Sequence, residues 1–101
     1  AVFRKTGPAC AERHWKAAAA MGADLTDTKV EDGGNILAEQ ILGMMRETGI
    51  PNGLSGVGYS IDDLDALTDR SYAQKRLIDN GPMPISRDEL KELFSDAMTY
   101  W

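Results

Sequence analysis

From Ser86 to Trp101 the apolar residues Leu90, Leu93, Phe94, Ala97, Met98 and Trp101 recur at helical spacing, with polar and charged residues between them. Ser86 is placed to cap this helix, and Glu89, three residues on, to close a capping box over the free N–H groups. Pro82 and Pro84 set an extended approach, because each fixes φ and disfavours helix in the residue before it. Three further helices follow from the same periodicity. One runs from Pro8 through Cys10 to Met21, with Trp15, Ala18, Ala19 and Met21 inward and Gly22 as its terminator. After a polar loop, Ala23 to Lys29, a second spans Val30 to Thr48, with Leu37, Ile41, Met44, Met45 and Thr48 inward. It is ended by Gly49 and blocked by Pro51. Ile50 to Tyr59 reads as a glycine-rich connector. Ser60 and Asp63 then open a helix from Ile61 to about Lys75, with Ile61, Leu64, Leu67 and Tyr72 inward. Arg76 to Ile85 is expected to be mostly irregular. No period-two strand pattern, internal repeat or low-complexity segment interrupts this order. The expected fold class is all-α, with four main helices.

One detail cuts against the second helix. Gly33 and Gly34 in its first turn weaken it by about 1 kcal/mol each relative to alanine. The alternative is that they mark close packing against another element.

With 101 residues the chain is at most one domain; 43% hydrophobic and 27% charged residues are the balance of a globular chain. A net charge of −5 and a pI near 4.7, with no basic run, argue against nucleic acid or an anionic membrane as partner. The longest apolar run, Ala17 to Met21, is far below the roughly 20 residues of a membrane span. The single cysteine forms no internal disulfide, which fits the cytoplasm or an organelle matrix.

Few residues offer chemistry. His14 is the only histidine, and Glu12-Arg13-His14 does not form the paired-histidine pattern of a zinc helix. It reads as a surface or packing histidine. Cys10 stands at a helix start, where a thiolate is favoured, and the only base on offer is His14, one turn later. The plain reading is a small residue filling that start. Gly53, Gly56 and Gly58 invert the dinucleotide fingerprint's spacing and follow no strand, so they read as a connector. Asp62, Asp63, Asp65 and Asp69 lack the spacing and central glycine of a calcium loop, and read as a solvated helix face.

The chain from Gly81 to Trp101 resembles the end of the iron-containing, metal-dependent alcohol dehydrogenases, which finish on a proline-rich turn, a leucine/aromatic helix and a tryptophan. Gly81 stands where asparagine or a small residue is usual in that turn, and Met83 where arginine is usual. Ile50 to Leu64 resembles the family's loop before a Gly-Val-Thr-x-x-Asp-Leu motif. Ala1 to Cys10, with Glu12, Arg13 and His14, is similar to the branch containing the hydroxyacid-oxoacid transhydrogenases. These stretches occur in the family's order across nearly the whole chain.

The resemblance implies that residues 1–101 are the C-terminal portion of the family's α-helical metal-binding domain, a reading that the opening on Ala1-Val2-Phe3 also suggests. The parent would transfer a hydride between NAD or NADP and an alcohol or 2-hydroxy acid, with a divalent iron or zinc as Lewis acid. The family's nucleotide-binding glycines, and the aspartate and three histidines that hold the metal, would all lie upstream. No catalytic, cofactor or metal residue is therefore expected here, and the segment alone is expected to be inactive. Arg76, Leu77 and Ile78 fall where the family's chain passes the substrate cleft. The implied partner is the remainder of the same enzyme chain, with self-association through exposed apolar surface as a second expectation. A different class of function, a free-standing acidic helical module docking its Leu90–Trp101 stripe on a partner, needs no resemblance.

Overall fold

The computed structural model describes residues 1–101 and is all-α. Its α-helices are α1 (Val2–Thr6), α2 (Ala11–Ala20), α3 (Gly33–Glu47), α4 (Leu64–Tyr72), α5 (Lys75–Asp79) and α6 (Arg87–Asp96). The chain divides into two compact units, Ala1–Ile50 and Pro51–Trp101.

In the first unit the expected long helices are α2 and α3. Both end where glycine was expected to end them. Gly22 and Gly49 take φ +90° and +71°. Ala23 N–H donates to Ala18 O and Gly22 N–H to Ala19 O, while Ile50 N–H donates to Met45 O and Gly49 N–H to Arg46 O. This double bond pattern satisfies carbonyls the helix leaves orphaned. Residues 23–29 form the expected loop, with Asp24 accepting from Thr26 N–H at 2.9 Å.

Three expectations are corrected here. The helix expected to open at Pro8 begins at Ala11: Pro8 lies in a 3-10 turn, Gly7–Ala9, which joins the separate short helix α1 to α2. The Val30 helix opens with a 3-10 turn, Val30–Asp32, before α3 proper. The inward face of α2 is His14 and Ala18, with Ala19 exposed, and that of α3 is Gly33, Gly34, Leu37 and Ala38. Met44 and Thr48 are exposed. The physical reason is close approach at the start of α3. A Cβ on Gly34 would lie 2.5 Å from Phe3 O and 2.7 Å from Gly7 Cα, and one on Gly33 2.5 Å from Ala11 O and 2.6 Å from Trp15 N. The two glycines thus put α1 and α2 against the α3 backbone, and burial concentrates in its first half.

In the second unit Leu64, Thr68, Leu93 and Met98 are buried where α4 packs on α6. Thr68, fully buried, donates its hydroxyl to Leu64 O at 2.6 Å, so its polar atom is satisfied within its own helix. The Ser60 start holds: Ser60 N–H donates to Asp63 Oδ2 at 2.8 Å, though the first turn, Ile61–Asp63, is 3-10. Ile61, expected inward, is 73% exposed, because that turn precedes the α4 face that packs. Lys75 to Asp79 is helical rather than irregular.

The capping box of α6 is present: Glu89 N–H donates to Ser86 Oγ at 3.1 Å, and Ser86 N–H to Glu89 Oε2 at 2.9 Å. The helix stops at Asp96, not at Trp101. Leu54 N–H donates to Ala97 O at 2.9 Å, and Ser55 N–H and Oγ–H both donate to Met98 O, at 3.0 and 2.6 Å. Those donors come from the glycine-rich stretch, so a tertiary contact supplies the cap that the local sequence lacks.

Asp65 and Asp69 lie on the expected solvated helix face and there also form an ion-pair cluster. Arg87 Nε donates to Asp69 Oδ1 at 2.7 Å, and Lys91 Nζ to Asp65 Oδ1 at 2.7 Å. Hydrogen bonds from Lys91, then from Arg87, hold the Asp65 carboxyl below the usual carboxylate value, and Asp69 foremost holds the Arg87 guanidinium above its own. An aspartate depressed in the folded state contributes stability that is present above its unfolded pKa, about 3.9, and lost as pH falls through the folded value. The thermal midpoint should therefore fall as pH drops below about 4, and Lys91→Met should reduce that fall. An equal fall in both proteins would assign the acid sensitivity elsewhere. The effect is small, because these pairs are exposed.

Candidate functional site

The residues expected near a substrate cleft sit together on α5. Arg76 and Leu77 are exposed, Leu77 by 63%, and Ile78 is half-buried. Leu77 N–H donates to Gln74 O at 2.9 Å, and Ile78 O accepts from Gly81 N–H at 3.0 Å. Their backbone is thereby fixed while two of the three side chains are open to solvent.

The glycine-rich stretch offers no phosphate cradle from Leu54 to Tyr59, because those six N–H groups are already committed. Leu54 and Ser55 donate to the α6 end, and Gly56, Val57, Gly58 and Tyr59 donate to Asn52 O, Leu54 O, Ser55 O and Leu54 O. Asn52 extends the same clamp. Its Oδ1 accepts from Tyr100 N–H at 2.7 Å and Trp101 N–H at 3.2 Å, and its Nδ2 donates to Trp101 O. Sequence reasoning gave Asn52 no role; an asparagine in a turn is too common to single out without its distant partner.

The main polar cluster lies where α1 meets α2. His14 is only 8% exposed, with Thr6 buried beside it and Cys10 half-buried. Burial settles His14 as a packing histidine: the edge of one ring meets the face of the other in its contact with Phe3, at 5.7 Å between centroids and 73° between planes. Its ring nitrogens are both engaged. Nε2 is 2.9 Å from Thr6 Oγ1, and Nδ1 is 3.0 Å from Cys10 O and 3.1 Å from Cys10 Sγ. The cysteine and histidine that the sequence placed one turn apart are thus within hydrogen-bond reach, and Thr6 holds the other ring nitrogen. Thr6 was missed, since the sequence offered no helix running across Gly7 and Pro8 to link it with His14.

These side chains do not fit a resident metal ion. No three His, Cys, Asp or Glu side chains converge on one point, and the only histidine has both nitrogens turned to protein partners.

No family model matches the chain, and no solved structure matches it. Curated relatives do. The chain is 38% identical over 101 residues to a Dictyostelium discoideum protein named "Probable hydroxyacid-oxoacid transhydrogenase, mitochondrial", all of this chain and 18% of that one. It is 39% identical over 98 residues to the mitochondrial hydroxyacid-oxoacid transhydrogenase of Xenopus laevis, and 34% identical over 98 residues to that of Homo sapiens. Each match takes in 97% of this chain and 21% of the relative. The chain thus spans about a fifth of the length of the curated relatives it matches. An unbroken match at this identity, end to end across this chain, makes it a relative of the hydroxyacid-oxoacid transhydrogenases and, with them, of the iron-containing alcohol dehydrogenase family.

Proposed function

We propose that this chain works as the C-terminal part of the helical domain of a longer oxidoreductase, one that moves a hydride between a nicotinamide cofactor and an alcohol or 2-hydroxy acid. The observation that carries the reading is the match of the whole chain to hydroxyacid-oxoacid transhydrogenases. Their names pair a hydroxyacid with an oxoacid, which makes a hydroxy acid the favoured donor and an oxo acid the favoured acceptor. The nicotinamide and a divalent metal would be held by residues outside these 101, and the role of this chain is structural. It supplies packed helices, with α5 and its Arg76, Leu77 and Ile78 bordering the substrate cleft.

The relatives' names support a mitochondrial location, and no helix here is long and apolar enough to cross a membrane. The partner would be the remainder of the same enzyme. That the whole chain matches only about a fifth of each relative supports that reading.

The test is an assay of hydride transfer from 2-hydroxy acids to 2-oxo acids, with nicotinamide and iron or zinc supplied. The chain within a protein of the relatives' length should turn over, and the isolated 101 residues should not. In the active protein, Leu77→Ser should change kcat/KM unequally across donors of different chain length. Turnover by the isolated chain would overturn the structural role, and an unchanged donor profile would remove α5 from the cleft.

A further inference from the structure

Asn52 and Gly53 are each demanded by the fold for a separate reason. Gly53 holds φ +65°, and a Cβ there would strike Met98 O and lie 2.6 Å from Ala97 O. Asn52 meets the tail with both ends of its amide. Its Oδ1 accepts from Tyr100 N–H at 2.7 Å and from Trp101 N–H at 3.2 Å, and its Nδ2 donates to Trp101 O. A backbone N–H only donates and a carbonyl oxygen only accepts, so these partners fix which way the amide faces.

Together the two residues make an Asn-Gly pair, the sequence in which an asparagine side chain is most easily attacked by its own backbone. The nucleophile is the nitrogen of the following residue, and a glycine leaves it unshielded for want of a Cβ. Gly53 N–H is also uncommitted: unlike the six N–H groups that follow it, it donates to no acceptor in the protein. Both residues are half-buried, so water reaches them. The attack needs Asn52 Cγ to swing onto Gly53 N. The three hydrogen bonds to Tyr100 and Trp101 oppose that movement, so the side chain reacts only while the tail is undocked. The reaction is then slowed in proportion to how seldom that contact opens.

We propose that Asn52–Gly53 is a deamidation site whose rate is set by docking of the tail, and that its conversion removes the tail's anchor. Gly53 N bonds to Asn52 Cγ and gives its proton to solvent. Nδ2 leaves as ammonia, taking the electron pair of the broken C–N bond and a proton from solvent, and a cyclic imide remains. Water then opens the ring. Opening at Cγ yields aspartate; opening at the main-chain carbonyl of residue 52 yields isoaspartate. In aspartate an acceptor replaces the Nδ2 donor opposite Trp101 O. In isoaspartate the chain runs through the former side chain, which adds a backbone carbon before Gly53 and turns the acceptor for Tyr100 and Trp101 into a main-chain carbonyl. The site stands apart from hydride transfer and from α5.

The experiment incubates the folded 101-residue chain at mildly alkaline pH and follows residue 52 by the mass of its proteolytic peptide and by released ammonia. The references are the peptide Pro51–Ser55 and a chain lacking Tyr100 and Trp101, its helicity checked by circular dichroism. The peptide should deamidate roughly tenfold faster than the folded chain or more, the low end of what loss of such hydrogen bonds implies. The shortened chain should approach the peptide's rate. A full chain carrying isoaspartate at residue 52, assembled by chemical ligation, should exchange its Tyr100 amide about tenfold faster than wild type, with Leu93 changing far less. A folded wild-type chain that reacts as fast as the peptide overturns control by the tail, and so does a shortened, folded chain that reacts as slowly as the full one. An isoaspartyl chain whose Tyr100 amide stays protected overturns loss of the anchor. Should the shortened chain not fold, the peptide comparison and the amide exchange decide by themselves.

Discussion

Gly34→Ala should lower the thermal midpoint by about 10 °C, although it replaces the poorest helix former but proline with the best. Propensity alone predicts a gain of roughly 1 kcal/mol for glycine to alanine inside a helix. The added methyl, however, would sit 2.5 Å from Phe3 O and 2.7 Å from Gly7 Cα. Those are backbone atoms, so relief requires moving α1 away from α3 rather than turning a side chain. Overpacking of this kind costs about 3 kcal/mol, which outweighs the propensity gain, and about 4–8 °C accompanies each kcal/mol in a domain of this size. Gly33→Ala should behave likewise, since its methyl would meet Ala11 O and Trp15 N. The control lies on the same helix. Nothing lies within 4 Å of a Cβ built on Gly43, so Gly43→Ala should raise the midpoint by a few degrees. Thermal melts of the three variants, followed by circular dichroism, decide the matter. A Gly34→Ala midpoint at or above wild type would mean that α1 is not held against α3.

Loss of the clamp on the tail of α6 is the second large effect. Gly53 has φ +65°, and a Cβ there would strike Met98 O and lie 2.6 Å from Ala97 O. Gly53→Ala therefore combines a strained backbone with a collision against the carbonyls that the neighbouring N–H groups cap. The expected cost is about 3 kcal/mol. Asn52→Ala is the gentler version. It removes the acceptor for Tyr100 and Trp101 N–H and the donor to Trp101 O, at about 2 kcal/mol. Amide exchange at Tyr100 should then speed up about thirtyfold in Asn52→Ala, the factor that 2 kcal/mol implies. Exchange at Leu93, inside the helix, should change far less. Equal acceleration at both amides would show that Asn52 stabilises the unit as a whole and not the tail.

The parts of the fold legible in sequence were those set by neighbours a few residues apart. Gly22 and Gly49 end helices because a left-handed residue there closes bonds to carbonyls of the same helix. Ser86 with Glu89 begins one for the matching reason at the other end. Errors arose where a distant segment supplied the deciding contact. The apolar stripe through Met98 and Trp101 is real in spacing, yet the helix ends at Asp96 because Leu54 and Ser55 take the next carbonyls. Met98 is buried all the same, while Trp101 is 40% exposed. In α3 the apolar pattern pointed to Met44 and Thr48, and the close approach at Gly33 and Gly34 moved the buried face toward the other end.

The candidate site divides in the same way. Cys10 and His14, four apart on one helix, were visible as a pair, because one helical turn brings such residues together. That the pair is completed by Thr6, and that His14 is buried against Phe3, depends on how α1 folds back on α2. By itself the sequence determined the all-α class, the caps, the acidic charge and the relationship to hydroxyacid-oxoacid transhydrogenases, since those depend on residue identity and short-range order. Only the tertiary structure decided where α6 stops, which glycines are packing sites and what the two nitrogens of His14 face. Each of those is fixed by an atom dozens of residues away or on another helix, and no local pattern of hydrophobic and polar positions encodes such an atom's place.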